Sequence, residues 1–217
     1  MALFLVFSIP LTGLIVLRSR FSEYFAEPEV WKAFFRGTAS FLIIVLPVYI
    51  LILLYDVRYL TSELYLRFLA VDFLFLLIPA VGAFFLREYR SCKELFGRRL
   101  FVRIFAFFHG FFALTGVFAG YMYHPAYSGY RLFAYPVLIL FLVCVTTTVF
   151  YLFMAGTHWA RYLFLPVPLL FSMILTTIPL LFMLHHMVNA LLVFGLLFIL
   201  MALLFFLVQV RRILPGM

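Results

Sequence analysis

The sequence predicts an all-α, polytopic membrane protein, a bundle of six or seven transmembrane helices, and three observations carry that expectation. Of 217 residues, 68% are hydrophobic and 11% charged, against roughly 45–50% apolar and about 25% charged in ordinary soluble domains. The mean hydropathy is +1.21. The apolar residues also fall in long runs separated by short basic clusters, the pattern of a chain whose solvent is mostly lipid. One core of this size could not hide so much apolar surface from water.

A helix rising 1.5 Å per residue needs about 20 apolar residues to cross the ~30 Å hydrocarbon core. Six runs qualify: Ala39 to Tyr55, Phe68 to Leu86, Ile104 to Tyr123, Leu132 to Ala155, Tyr162 to Leu184 and Val188 to Val210. A seventh, Ala2 to Leu17, is shorter and contains Pro10 and Gly13, so it either spans with local thinning or lies partly in the interface. Its flanks are reversed for a cleaved signal peptide, because Arg18 and Arg20 follow the apolar run and no base precedes it. Tyr162 to Val210 carries no charge and would make a rod of about 73 Å, so it must turn; His185-His186-Met187-Val188-Asn189 is the cluster with turn character near its middle. These spans fill residues 1–217 as one membrane-embedded helical domain, with no soluble domain.

Orientation follows from the bases. Arg18, Arg20, Lys32, Arg36, Arg87, Arg90, Lys93, Arg98, Arg99, Arg103, Arg161, Arg211 and Arg212 fall on one side of the alternating loops, and Arg58, Arg67 and Arg131 on the other. The positive-inside rule then puts the N-terminus outside and the C-terminus in the cytoplasm of a plasma or inner membrane. Arg20 to Phe35 and Arg87 to Arg103 mix aromatic and apolar residues with charge and read as short surface helices or juxtamembrane collars. Arg87, Arg90, Lys93, Arg98, Arg99 and Arg103 are expected to favour anionic lipid headgroups. The formal charge of +8 is thereby assigned to topology, and no nucleic acid is implied.

Polar residues within the spans are few, and each has a structural and a functional reading. Asp72, the one acid inside a span, shares a face with Leu76, Pro79 and Ala83; it pairs with Arg131 or an outer-side histidine, reaches the interface, or else carries an ion or proton. His109, Ala113, Gly116 and Gly120 form a stripe on the fourth span, ending in a GxxxG, that suits helix packing with His109 hydrogen-bonded across the contact; the alternatives are proton relay and haem ligation. Cys144, Thr148, Tyr151 and Ala155 share a face of the fifth span, and Pro168, Ser172, Thr176 and Pro179 one of the sixth. These hydroxyl stripes either line a narrow polar path or join two helices. His124, His185 and His186 are weak metal candidates on the outer side, since i, i+4 pairing is absent. Tyr121, Tyr123, Tyr127, Tyr130 and Trp159 read as interfacial aromatic belts.

No motif for an enzyme appears. Both lysines, Lys32 and Lys93, lie in loops, so no Schiff-base site exists inside a span. There is no Gly-x-Ser-x-Gly, His-Glu-x-x-His or phosphate-binding glycine loop. Neither Cys92 nor Cys144 belongs to a CxxC or a metal-type spacing, and no cofactor is indicated. The sequence therefore favours a non-catalytic accessory or membrane subunit with a membrane-protein partner or a second copy of itself. A small permease using Asp72 and the kinked sixth span is the alternative, and a seven-helix sensor signalling through a partner the third.

Overall fold

A computed structural model describes residues 21–54, 75–114, 143–144 and 146–155. These residues are helical apart from a few turn, bend and irregular positions, with no strand among them. In chain order they form α1 (Ser22–Phe25), α2 (Pro28–Ser40), a wide turn (Phe41–Val45), α3 (Leu46–Leu54), α4 (Phe75–Arg87), α5 (Tyr89–Cys92), α6 (Gly97–Ala113) and α7 (Thr146–Ala155).

Helix α2 begins on Pro28, whose fixed φ suits the first helical position, with Glu27 extended before it and Glu29 in the first turn facing the positive end of the helix dipole. The wide turn has a local cause. Pro47 has no amide to offer the Ile43 carbonyl and its ring crowds that oxygen, so the backbone dilates and the Leu46 amide donates instead to the Phe41 carbonyl, five residues back. Helix geometry continues through it to Leu54. One helix therefore starts at Pro28 and joins the stretch that the sequence read as a short surface helix or collar, Arg20 to Phe35, to the apolar run beginning at Ala39. Apolar sequence set the expected boundary, whereas the charged turns from Glu29 to Arg36 stay helical because their neighbours pair with them. By length and composition the 21 residues Pro28–Val48 are able to cross a membrane.

Helix α6 starts where the chain reverses direction: Phe96 is extended and Gly97 takes φ +59°, which a Cβ would strain. It is the central helix of the described region, buried on every side from Leu100 to Phe112. Contacts advance together along α2 and α6, from Glu27 with Arg99 to Thr38 with Gly110 and Phe41 with Phe111, so the two helices run parallel. Helix α4 runs the other way, with Glu88 against Arg103 and Phe84 against Phe107 and Phe108. The charged ends of all three helices consequently gather at one end of the bundle.

Two kinds of contact hold these helices. Where α2 crosses α6, a Cβ built on Gly37 would overlap the Phe107 carbonyl oxygen, and one on Gly110 would overlap that of Phe34. Reciprocal glycines thus let backbone meet backbone, and the Thr38 hydroxyl shares itself between the Gly110 and Phe34 carbonyls at 3.1 Å each. Around α6 the packing is aromatic. Phe84 lies 4.8 Å from Phe150, 5.3 Å from Phe108 and 5.5 Å from Phe107, centroid to centroid, joining α4, α6 and α7.

Candidate functional site: a carboxylate held between two guanidinium groups

Beyond the apolar core, the feature that stands out is Glu88, whose side chain is completely buried at the α4–α5 junction. Its position follows from helix periodicity: Ala80, Phe84, Glu88 and Cys92 recur every four residues and are all buried. The helical register crosses the junction, because the Glu88 amide donates to the Phe84 carbonyl at 2.9 Å and the Cys92 amide to the Glu88 carbonyl at 3.0 Å.

Both carboxylate oxygens are engaged. Arg103 Nε donates to Oε1 at 2.5 Å and Arg36 Nη1 to Oε2 at 3.0 Å. Arg103 is itself 9% exposed in its side chain and reaches Glu29 through Nη2 at 3.6 Å; Glu29 in turn accepts from Lys32 at 2.6 Å. Lys32, Glu29, Arg103, Glu88 and Arg36 therefore form one chain of alternating sign linking α2, α6 and the α4–α5 junction. Taking Glu88 out of water costs several kcal/mol, which two charge-assisted hydrogen bonds and the field of two guanidinium groups offset. The outer pairs, Lys32–Glu29 and Arg99–Glu27 at 3.4 Å, are exposed and contribute little. Beside the cluster, burial first and then the Glu88 charge push the Cys92 thiol up to about 12, so it stays protonated.

Chemically this arrangement is closed. A carboxylate that accepts on both oxygens is not poised as a general base, and arginine does not release its proton. The described geometry fixes the relative height and rotation of three helix ends.

The residues singled out from sequence distribute as follows. His109 is buried, with its ring stacked on Phe105 at 5.3 Å and tilted against Phe34 at 6.2 Å. Ala113 is half-buried at the end of α6. Cys144 and Thr148 are buried, and the Thr148 hydroxyl donates to the Cys144 carbonyl at 2.9 Å; that hydroxyl is used on its own helix. Tyr151 is half-buried with its ring 5.7 Å from Phe101. Asp72, Gly116, Gly120, Pro168, Ser172, Thr176, Pro179, His124, His185 and His186 lie outside the described residues. Among the described residues no three of His, Cys, Asp and Glu come together as a metal site. Of the six bases expected at lipid headgroups, Arg87, Arg90, Lys93, Arg98 and Arg99 are exposed, but Arg103 turns inward to Glu88.

Sequence reasoning missed Glu88, Arg36 and Arg103 as a unit, and missed the Gly37–Gly110 crossing. A signal was present. Arg36 and Arg103 are each the last charge before an apolar run, while Arg87 and Glu88 are the first charges after another. All of them lie on the side assigned to the cytoplasm, and so at matching depth.

No protein-family model matches this chain, and neither does any curated protein or solved structure searched.

Proposed function

We propose that the chain is a multi-pass integral membrane protein, N-terminus outside and C-terminus cytoplasmic, that acts as a non-catalytic membrane subunit of a larger assembly. The observation that carries the subunit reading is Glu88: the one fully buried carboxylate among the described residues is consumed in bonds between helices rather than presented to a substrate. The membrane reading draws support from large apolar side chains turned outward, with Ile43 59%, Leu51 52%, Ile78 62% and Leu86 83% exposed. Side chains of this size turned outward together are uncommon on a helix facing water. Lipid receives them on one side, and a partner's helix on another.

Affinity purification of the full chain in mild detergent tests this. A partner recovered in fixed stoichiometry, and released by Gly116→Leu or Gly120→Leu, is the expected result. A lone chain that catalyses solute flux in proteoliposomes, with flux lost in Asp72→Asn, would replace the subunit by a permease.

A further inference from the structure

Helix α4 carries two opposite stripes into the charged end of the bundle. One is the buried series ending in Glu88 and Cys92; the other, Ile78, Gly82, Leu86 and Arg90, is exposed at every position. Ile78 and Leu86 are among the most exposed large apolar residues, and a Cβ built on Gly82 between them would meet nothing within 4 Å. The outer stripe is thus apolar with a shallow notch, and it ends abruptly in cations.

The ion pairs sort the neighbouring bases into two sets. Lys32, Arg36, Arg99 and Arg103 each face a carboxylate. Arg87, Arg90, Lys93 and Arg98 are exposed and form no ion pair among the described residues; the first three lie in the turn that ends the stripe, where the one exposed acid is Glu94. Three unpaired cations at the end of an apolar stripe suit an anion attached to something apolar.

We propose that this face binds an anionic glycerophospholipid of the cytoplasmic leaflet. One acyl chain lies along Ile78, Gly82 and Leu86, and the headgroup phosphate is held by Arg87, Arg90 and Lys93. The assignment rests on the multi-pass membrane reading above. The methylene stems of these three residues follow the apolar surface while their charges reach the headgroup level. A zwitterionic headgroup brings its own cation toward the same three charges, so the site discriminates against it. Arg103, committed to Glu88, takes no part.

The test places a reporter at the stripe. In the full chain, with Trp31 and Trp159 replaced by Phe, Leu86→Trp is read in phosphatidylcholine vesicles containing brominated phosphatidylglycerol, and in the matched vesicles containing brominated phosphatidylcholine. Ile43→Trp on the outward face beside α2 serves as the control. Each near-surface cation is worth about fivefold in association. The fluorescence of the Leu86→Trp reporter should therefore be quenched at a phosphatidylglycerol fraction at least tenfold below the phosphatidylcholine fraction needed. Combining Arg87→Gln, Arg90→Gln and Lys93→Gln should erase that preference, and the Ile43→Trp control should show none. Equal quenching of the stripe reporter by both lipids, with the control also quenched, overturns the lipid site and leaves the membrane reading standing. Absence of quenching at both positions overturns the membrane reading and the site with it.

Discussion

Replacing Glu88 by Gln removes one charge and alters almost no volume, which makes it the sharpest probe of the helix-end cluster. The carboxylate is completely buried, and it is bonded to Arg103, with 9% of its side chain exposed, and to Arg36, with 40% exposed. Removing one member of a buried pair costs about 3–5 kcal/mol because the partner charge stays behind. Arg103 bears most of this, although Glu29 at 3.6 Å retains part of its compensation. Arg36 recovers some hydration, and the Gln carbonyl still accepts from one guanidinium. The expected loss is therefore at the lower end, about 3 kcal/mol. Unfolding of the purified chain by titrating dodecyl sulfate into mixed micelles, followed by helical circular dichroism, measures it. Adding Arg103→Gln should recover part of the loss, giving a coupling of about 2 kcal/mol in the double-mutant cycle. A Glu88→Gln loss below about 0.5 kcal/mol, or additive effects in the cycle, would refute the assignment of a buried charge cluster, since those are values typical of exposed pairs.

Two further predictions use the same preparation. Gly37→Ala should cost about 2–3 kcal/mol, because its Cβ meets the Phe107 backbone, which has no rotamer to escape into, whereas Gly82→Ala, with open space around it, should be neutral or slightly stabilising; equal effects at the two positions would remove the case for a backbone-level crossing. Cys92, held at about 12 against an ordinary 9.0, should react with N-ethylmaleimide at pH 8 roughly a thousandfold more slowly than an exposed Ser91→Cys control, as read by peptide mass. The sign of the linkage follows: unfolded chains lose the thiol proton near 9.0 and folded ones near 12, so stability should fall as pH rises between those values and be indifferent to this group below them.

Helix content was legible in the sequence wherever long apolar runs set it, and α4, α6 and α7 fall within or across expected spans. Their boundaries were less legible, because hydropathy counts charges as the end of a helix. At Glu29, Lys32 and Arg36 that rule fails: residues far along the chain neutralise them and the helix continues. The Glu88 cluster was hidden for a related reason. Sequence separations of 52 and 15 connect Glu88 to its two arginines, and periodicity within one helix cannot choose a partner on another. Small residues meet where α2 crosses α6, at Gly37 and Gly110, and nothing in the sequence singled out that pair. The GxxxG at Gly116 and Gly120 lies outside the described residues.

The parallel arrangement of α2 and α6 also sets an order of events during synthesis. Thr38 finds its acceptor 72 residues later, at Gly110, and at ~5–20 residues per second that is a delay of roughly 4–14 s. Arg36 has no Glu88 until 52 residues have followed it, and Gly37 has no Phe107 backbone to meet until later still. The nascent α2 must therefore wait with a polar, notched face uncovered. A chain that stalls between Leu54 and Arg87 would present that face to any quality-control factor able to read an uncompensated arginine beside a glycine-bearing helix.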